Sequence, residues 1–368
     1  MRRRSATTLS DVAREAGVSA MVASVVLNNA TSSTRVSEAT RDRILEAAKR
    51  MQYRPNAVAR GLSRRRMNTI GVSFIIHGGD FNHYLMEILN GILETAAQYQ
   101  QNTTIFSISD WTIDEPKILQ ACDGRIDGMI LIGPHMRHSF VRQIPRHTPF
   151  VFIHNNSGLP NVPSLDVDNE NGSYDMTKLL LNYGHRCIAH ITGSMTMTCS
   201  RERQSGYLRA LQEKGIKWDE DLTVLGDFTI ERGRECTLCL LQRLKNRPLP
   251  TAILCDSDAI AFGCIEVLND HGIRVPEDIS VTGFDDTHLA QITNPPLTTV
   301  RQPFGLMAKR AVEILLSHVE MEPAQPENHP VISNNGDETD GHLILERLPH
   351  EIIIRSSVCA PRETPLIA

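Results

Sequence analysis

Residues 8–28, TLSDVAREAGVSAMVASVVLN, decide how the first part of this chain is read. Two short helical patterns flank Gly17-Val18-Ser19. Thr8 stands where a helix needs an N-cap. Asp11 follows three positions on, the spacing of a capping box with a carboxylate in the first turn. Val12, Ala13 and Ala16 give that helix an apolar stripe. Gly17 supplies a sharp turn, and Ser19 caps a second helix running to about Asn28. On the second helix Ala23, Val26 and Leu27 pack inward, leaving Ala20, Met21, Ser24 and Val25 facing out. The pattern predicts a helix-turn-helix whose second helix fits the DNA major groove. An ordinary helical hairpin is the alternative.

Charge separates the two. The first 67 residues hold 14 Lys and Arg against five acids, a net +9. The remaining 301 residues hold 24 against 38, a net −14, so the overall −5 hides a basic head on an acidic body. A small basic module is the electrostatic footprint of phosphate binding. A basic run alone is more often a solvated tail or a targeting signal, but joined to a helix-turn-helix it favours DNA.

At 368 residues there is room for two or three domains, and 41% hydrophobic content suffices for their cores. No apolar run approaches the ~20 residues that span a bilayer. The start, Met-Arg-Arg-Arg-Ser, lacks the apolar segment of a signal peptide, so a cytoplasmic location is expected. Among eight cysteines the only close pair is Cys236-Thr-Leu-Cys239, with no second pair and no histidine at ligand spacing. Zinc is not expected, and these residues read as reduced packing cysteines. No metal or cofactor is assigned.

Further along, Ser37 caps a third helix to about Met51, with Ile44, Leu45, Ala48 and Met51 on its buried face. Tyr53-Arg54-Pro55 ends it. Residues 55–62 form two conditional helical turns, because Gly61 lowers helix propensity. From Thr69 the texture alternates between strand-like runs (Ile70–Ile76, Thr104–Ile108, Gly128–Ile132, Phe150–Ile153, Cys187–Thr192, Ala252–Cys255, Ser280–Gly283, Ile352–Ile354) and helical ones (Leu85–Gln98, Gly172–Tyr183, Gly206–Lys214, Gly233–Leu244, Ala259–His271). Near-continuous apolar strands between helices predict parallel sheets covered on both faces. About 300 residues of this texture predict two α/β lobes. Ligands of such folds bind beyond the carboxyl ends of the strands. Polar residues gather there: Asp110, His154-Asn155, Asp256-Ser257-Asp258 and Asp285.

An ordered set of motifs then resembles the lactose/galactose repressor family of bacterial transcription regulators over nearly the whole chain. It comprises Asp11–Ser19, Val36–Arg41, Tyr53–Arg60, Asp127-Gly128, Val167-Asp168-Asn169, Tyr183–Arg186, Arg201–Arg203, Val275–Asp286 and Pro295–Gln302. The resemblance implies an all-α helix-turn-helix domain (1–53), a hinge helix and linker (54–68) and a two-lobed sensor like a periplasmic sugar-binding protein. The first lobe is expected over 69–166 plus about 301–320. The second covers 167–300 plus about 342–358, and 359–368 is a tail. It further implies homodimers on palindromic double-stranded DNA operators, with Leu62 as the leucine that wedges into the minor groove. The DNA-contacting set becomes Thr8, Ser19, Ala20, Met21, Ser24, Val25, Asn28, Tyr53, Asn56, Ala57, Arg60 and Leu62. Arg203, Asp285, Phe228 and Phe304 match effector-contacting positions, and Tyr84, Asp110, Asn155 and Ser257 complete the expected pocket.

The chain departs from the family at several points. Val22 and Val25 stand where most relatives have Thr and Arg, Ser257-Asp258 replaces Asn-Asp, and His154-Asn155 replaces Asp-Arg. The loop His77–His83 is longer than usual, and Glu322–Gly341 reads as a mobile surface insert. A solute receptor for an importer would need an export signal and has no use for a basic helix-turn-helix. An enzyme is disfavoured, since GxGxxG, Walker A, nucleophile-elbow, HExxH and paired-cysteine metal motifs are missing. The expected function is a ligand-responsive regulator, a repressor, switched by a small molecule. The polar residues mixed with aromatics favour a sugar over a purine.

Overall fold

The computed structural model describes residues 7–28, 35–56, 59–61, 66–76, 83–155, 161–320, 345–364 and 366–367. Ala57, Leu62, most of the loop after Ile76 and the Glu322–Gly341 insert lie outside them. The chain divides into two units, Met1–Asn68 and Thr69–Ala368.

In the first unit, local chemistry sets three helices: α1 (Leu9–Glu15), α2 (Ala20–Asn28) and α3 (Glu38–Arg50). The Thr8 and Asp11 side chains each accept from the other's backbone N–H, closing the capping box. That hydrogen bonding, led by the Thr8 hydroxyl, holds the Asp11 carboxyl below its ordinary range. Gly17 takes the left-handed φ of 65° that the turn requires. Ser19 Oγ accepts from the Val22 N–H at 3.3 Å, and Ser37 Oγ from the Thr40 N–H at 3.3 Å. Val12, Ala13, Ala16, Ala23, Val26, Ile44, Ala47 and Ala48 form the core between them. Two expectations are corrected. Leu45 is exposed and Ala47 takes its place, so the core-facing stripe runs through Ile44, Ala47, Ala48 and Met51. Leu27 is only partly buried.

The second unit holds two six-stranded sheets. In chain order the first contains β1 (Thr69–Ile75), β2 (Asn102–Ile108), β3 (Gly128–Ile132), β4 (Phe150–Ile153), β5 (Ser164–Val167) and β11 (Leu345–Leu348). Their spatial order is β11-β5-β4-β3-β1-β2, all parallel. The second contains β6 (Ile188–Thr192), β7 (Thr223–Leu225), β8 (Ala252–Cys255), β9 (Ser280–Asp285), β10 (Thr298–Arg301) and β12 (Glu351–Ile353). Its order is β12-β10-β9-β8-β6-β7, with only β12 antiparallel. The intervening helices are α4 (His83–Gln98), α5 (Glu115–Gln120), α6 (Asn169–Tyr183), α7 (Thr198–Glu213), α8 (Ile230–Arg243), α9 (Asp258–Asp270), α10 (His288–Ile292) and α11 (Phe304–Glu320). Central strands such as β3, β4 and β8 are buried throughout, which explains their unbroken apolar runs. No helix among the described residues is long and apolar enough to cross a membrane.

Three connections pass from one sheet to the other: β5 to α6 through Asp168, β10 to α11 through Gln302-Pro303, and β11 to β12 through Pro349-His350. The last corrects the expected division, since residues 345–348 pair with β5 in the first sheet and only β12 joins the second. The tail is docked rather than loose. The Leu249 N–H donates to the Leu366 carbonyl at 2.7 Å, and His185 Nε2 lies 2.9 Å from the Cys359 carbonyl. Of the expected packing cysteines, Cys236 is buried but Cys239 is exposed.

Helix α7 begins at Thr198, eight residues before the Gly206 at which the pattern placed its start. That glycine lies inside the helix because α6 crosses there. A Cβ on Gly206 would stand 2.1 Å from the Glu170 carbonyl oxygen and 2.8 Å from the Tyr174 nitrogen. Backbone cannot yield as a side-chain tip does, so Gly206→Ala is expected to destabilise the second unit by at least ~1–3 kcal/mol. Urea unfolding reads this, and parent-like stability would mean the two helices can separate freely.

Candidate functional site

The residues at or beyond the carboxyl ends of β1–β4 and of β6–β10 converge on one cavity of about 520 Å³. That volume lies within the ~300–1,000 Å³ typical of small-molecule sites. Phe74, Ile75, Leu85, Trp111, Ile132, Met197, Phe228 and Leu289 give it apolar walls. Tyr84, Asp110, His154, Arg203, Ser257, Asp285, Thr287 and Gln302 add polar groups.

Six of the eight expected pocket residues line this cavity: Tyr84, Asp110, Arg203, Phe228, Ser257 and Asp285. Two sit behind its wall. Asn155 is buried and donates to Ser164 Oγ at 3.1 Å. Phe304 packs edge-on against Tyr84, with ring centroids 5.5 Å apart. His154 occupies the wall instead of Asn155 because its backbone turns into the left-handed region at the end of β4, φ 54°. Trp111, His154, Met197 and Gln302 were not in the expected set. The strand-end reading includes His154 but assigns the pocket to Asn155 beside it, and Gln302 follows a strand, a position that could have identified it.

The roles of the polar groups differ with their partners. Asp110 Oδ1 is consumed by its own turn, accepting from the Thr112 N–H and hydroxyl and from the Ile113 N–H. These bonds, the Thr112 hydroxyl foremost, hold its carboxyl below the ordinary range. Ser257 Oγ caps α9 by accepting from the Ile260 N–H at 3.1 Å. Arg203, 3% exposed, donates from Nε to Asn169 Oδ1 at 2.9 Å and from a terminal nitrogen to the Asp256 carbonyl. Its guanidinium lies 3.6 Å from the centre of the Phe284 ring. Beneath it the Asp256 carboxylate receives the Gly193 N–H at 2.7 Å and faces His190 Nε2 at 2.7 Å.

Asp285 also occupies left-handed backbone, φ 122°, and accepts from Gln302 Nε2 at 2.6 Å. Such backbone at a ligand wall is strain that the surrounding packing holds in place. Nearby, Asp258 receives the Thr287 N–H and hydroxyl and the Thr299 hydroxyl. Burial first, and the neighbouring Asp285 second, push its carboxyl well above the ordinary range. Burial likewise raises the Tyr84 phenol well above its usual value.

In the first unit, Ala20 and Met21 are exposed and Ser24 and Val25 half-buried, so the expected groove-facing set shares an accessible face of α2. Asn28 Nδ2 donates to Ser24 Oγ at 3.1 Å. Tyr53 packs against the helical core, whereas Asn56 and Arg60 are exposed. Asn56 Oδ1 accepts from the Ala59 N–H, and its carbonyl from the Arg60 N–H, opening a short helical turn. Arg14, Arg41, Arg43, Lys49, Arg50, Arg54 and Arg60 are all exposed. They keep the positive charge of this unit available to phosphates.

The Asp285 carboxyl gives the cavity a pH signature. Burial outweighs Arg203 and the Gln302 amide and lifts it from 3.8 to about 6. Between those values the unfolded chain has lost this proton and the folded chain still holds it. The stabilising contribution is therefore complete in acid and lost as pH rises through about 6. Asp285→Asn keeps the acceptor for Gln302 without the charge. It is expected to raise stability by on the order of 1–3 kcal/mol above about pH 7 and to match the parent near pH 4. Melting curves across that range check it, and a gap that is constant with pH would refute the assignment.

Comparison with known proteins agrees with both units. Residues 8–56 match the model of bacterial regulatory proteins of the lacI family, and residues 177–358 match a periplasmic binding protein-like domain. Catabolite control protein A of Priestia megaterium is 32% identical over 354 residues, covering 95% of this chain and 98% of that protein. The HTH-type transcriptional repressor PurR of Aliivibrio salmonicida is 32% identical over 318 residues, covering 85% and 92%. Among solved structures, the lac repressor dimer bound to operator and the anti-inducer ONPF superposes with a TM-score of 0.79 at 25% identity, covering 97% of this chain and 100% of that one. A complex of the transcriptional regulator CelR with cellobiose gives 0.66 at 28% identity, covering 95% and 99%. A capped helix-turn-helix joined to a two-sheet sensor with a cavity at its strand ends, together with near-complete alignment to these regulators, places the chain in the lacI family of ligand-responsive, DNA-binding transcriptional regulators.

Proposed function

We propose that this protein is a cytoplasmic repressor that binds a palindromic operator as a homodimer and is switched by a sugar in the cavity between its two sheets. The observation that carries the ligand class is the buried Asp285–Gln302 pair in a cavity also lined by Tyr84, Trp111 and Phe228. Carboxylate and amide acceptors suit hydroxyl edges, and aromatic faces suit the C–H faces of a sugar ring. The CelR–cellobiose likeness supports this reading, whereas the PurR relatives support a purine. A thermal-shift panel of neutral sugars, sugar phosphates and nucleobases decides between them. A ligand present at ~100 times its Kd stabilises by about 2.7 kcal/mol. A neutral sugar is expected to raise the melting temperature, and stabilisation by a nucleobase alone would establish the purine reading.

Switching follows from where the ligand sits. It touches residues from both sheets, so it favours whichever lobe angle satisfies both walls. Operator affinity then changes to the extent that the ligand prefers one angle over the other. Thr8, Ser19 and Asn28 at the helix ends, with Tyr53, Asn56, Ala57 and Arg60, are proposed to position the module on DNA. Leu62 is proposed to wedge into the minor groove.

Direct readout by α2 is weak in this proposal. Ala20, Met21 and Val25 can pack on thymine methyls and Ser24 can bond either base type, but none makes the bidentate contact of Arg with guanine. Operator affinity is therefore expected to fall steeply with salt. Selection from a random library is expected to give a motif without strongly required G·C pairs beneath α2. Val25→Arg is expected to add a preference for G at one symmetric position, worth roughly 1–3 kcal/mol. A parent motif with fixed G·C pairs there would show that α2 presents another face.

A further inference from the structure

We infer that His154 meets the effector as a hydrogen-bond acceptor, with its polarity fixed by Asp166, and that His154 and Gln302 together require two hydrogen-bond donors on the bound molecule. This rests on the cavity being the effector site and narrows the ligand class to one that brings an O–H or N–H donor to each of these two acceptors. It also disfavours a phosphate or carboxylate at that end.

Asp166 lies on β5 beneath the wall, and its Oδ1 faces three nitrogens: His154 Nδ1 at 2.8 Å, the Val167 N–H at 2.8 Å and Asn169 Nδ2 at 3.1 Å. Two of the three, the Val167 N–H and Asn169 Nδ2, can only donate, so this oxygen acts as an acceptor, and despite its burial the carboxyl lies below its ordinary range. An ionised carboxylate only accepts, so His154 Nδ1 must donate. In the neutral ring the second nitrogen then carries a bare lone pair. His154 is 4% exposed, its ring lines the cavity, and among the described residues its Nε2 has no hydrogen-bond partner.

The opposite wall repeats the pattern. Gln302, 3% exposed, commits its amide nitrogen to Asp285 at 2.6 Å, which fixes the orientation of the group. Its Oε1 is left buried without a partner among the described residues, and Gln302 also lines the cavity. Two desolvated acceptors, one following a strand of each sheet, are costly alone and are satisfied together by O–H or N–H donors. The groups facing them are Tyr84 from α4, whose ring is 5.4 Å from that of His154, and Arg203 from α7 and Asp285 from β9, which line the same cavity. Arg203 spends two of its five N–H donors on Asn169 and Asp256, and it is the bare lone pairs of His154 and Gln302 that would oppose an anionic ligand group placed directly against them.

The test uses the full chain with ¹⁵N-labelled histidine at neutral pH, with the His154 signals identified by their loss in His154→Gln. The expected spectrum has Nδ1 protonated and Nε2 bare. Asp166→Asn, whose amide can donate as well as accept, is expected to release the tautomer and move the His154 signals while other histidines hold. An Nε2–H tautomer or an imidazolium in the parent would overturn the proposal. Cellobiose, lactose, maltose and ribose are then added in turn. A sugar that raises the melting temperature is expected to shift Nε2 and leave Nδ1 in place, and to bind ~10-fold more weakly to His154→Phe and to Gln302→Met. A stabilising sugar that leaves Nε2 unmoved, or binds either variant as tightly as the parent, would also overturn it. If no sugar stabilises the protein, the sugar reading fails by itself, and the tautomer still sustains or overturns the assignment of His154.

Discussion

A buried guanidinium organises the sensor. Arg203 has lost nearly all contact with water, and such a charge is tolerated only where partners replace its hydration. Those partners come from distant parts of the chain: Asn169 at the first crossover, the Asp256 carbonyl beyond β8, and the Phe284 ring on β9. Satisfying one side chain thus fixes α7 against the first crossover and against the ends of two strands. Asp256 is held in turn by His190 and Gly193, so the floor of the cavity is one connected polar network. The same connection makes Arg203 as much a structural residue as a cavity-lining one.

The network also reaches the other crossovers. Asn169 donates to Asp166 and lies within 3.4 Å of Glu202, which pairs with Arg347 on β11, the strand leading into the third crossover. Gln302, at the second, holds Asp285. The polar walls of the cavity are therefore bonded directly to the segments that must bend if the lobes change angle. In the proposed switch, coupling ligand to lobe angle needs no long pathway, because the cavity-lining residues and the crossover residues are immediate neighbours. The left-handed backbone of His154 and Asp285 and the buried carboxylates cost stability that a simpler apolar floor would not.

The DNA-binding unit is built on the opposite plan. Its core is small and made of Ala, Val and Ile, and its helices are set by side-chain caps that act within four residues. Its charge lies on the outside, and the accessible face of α2 is nearly free of groups that read bases.

This contrast explains what was legible. Thr8, Asp11, Gly17, Ser19 and Ser37 act locally, so the sequence by itself determined the helix-turn-helix, and the apolar runs of β3, β4 and β8 determined the parallel α/β sensor. Strand-end position also pointed to Asp110, Ser257 and Asp285. The short strands β5 (SLDV), β7 (TVL), β10 (TTVR) and β11 (LERL) lack the unbroken apolar run of β4 and β8, and pairing with distant neighbours defines them. Gly206 looked like a helix boundary because the crossing helix that requires it is not visible from its neighbours in sequence. Leu45 and Ala47 exchanged places for a similar reason, since the face α3 buries depends on where α1 and α2 meet it. At the end of β4, His154 and Asn155 are equally polar in sequence. Only the left-handed turn of the backbone and the Asp166 carboxylate beneath it put the histidine in the cavity and the asparagine behind it. Which side chain faces a ligand is set by backbone direction and non-local partners, and those belong to the tertiary structure alone.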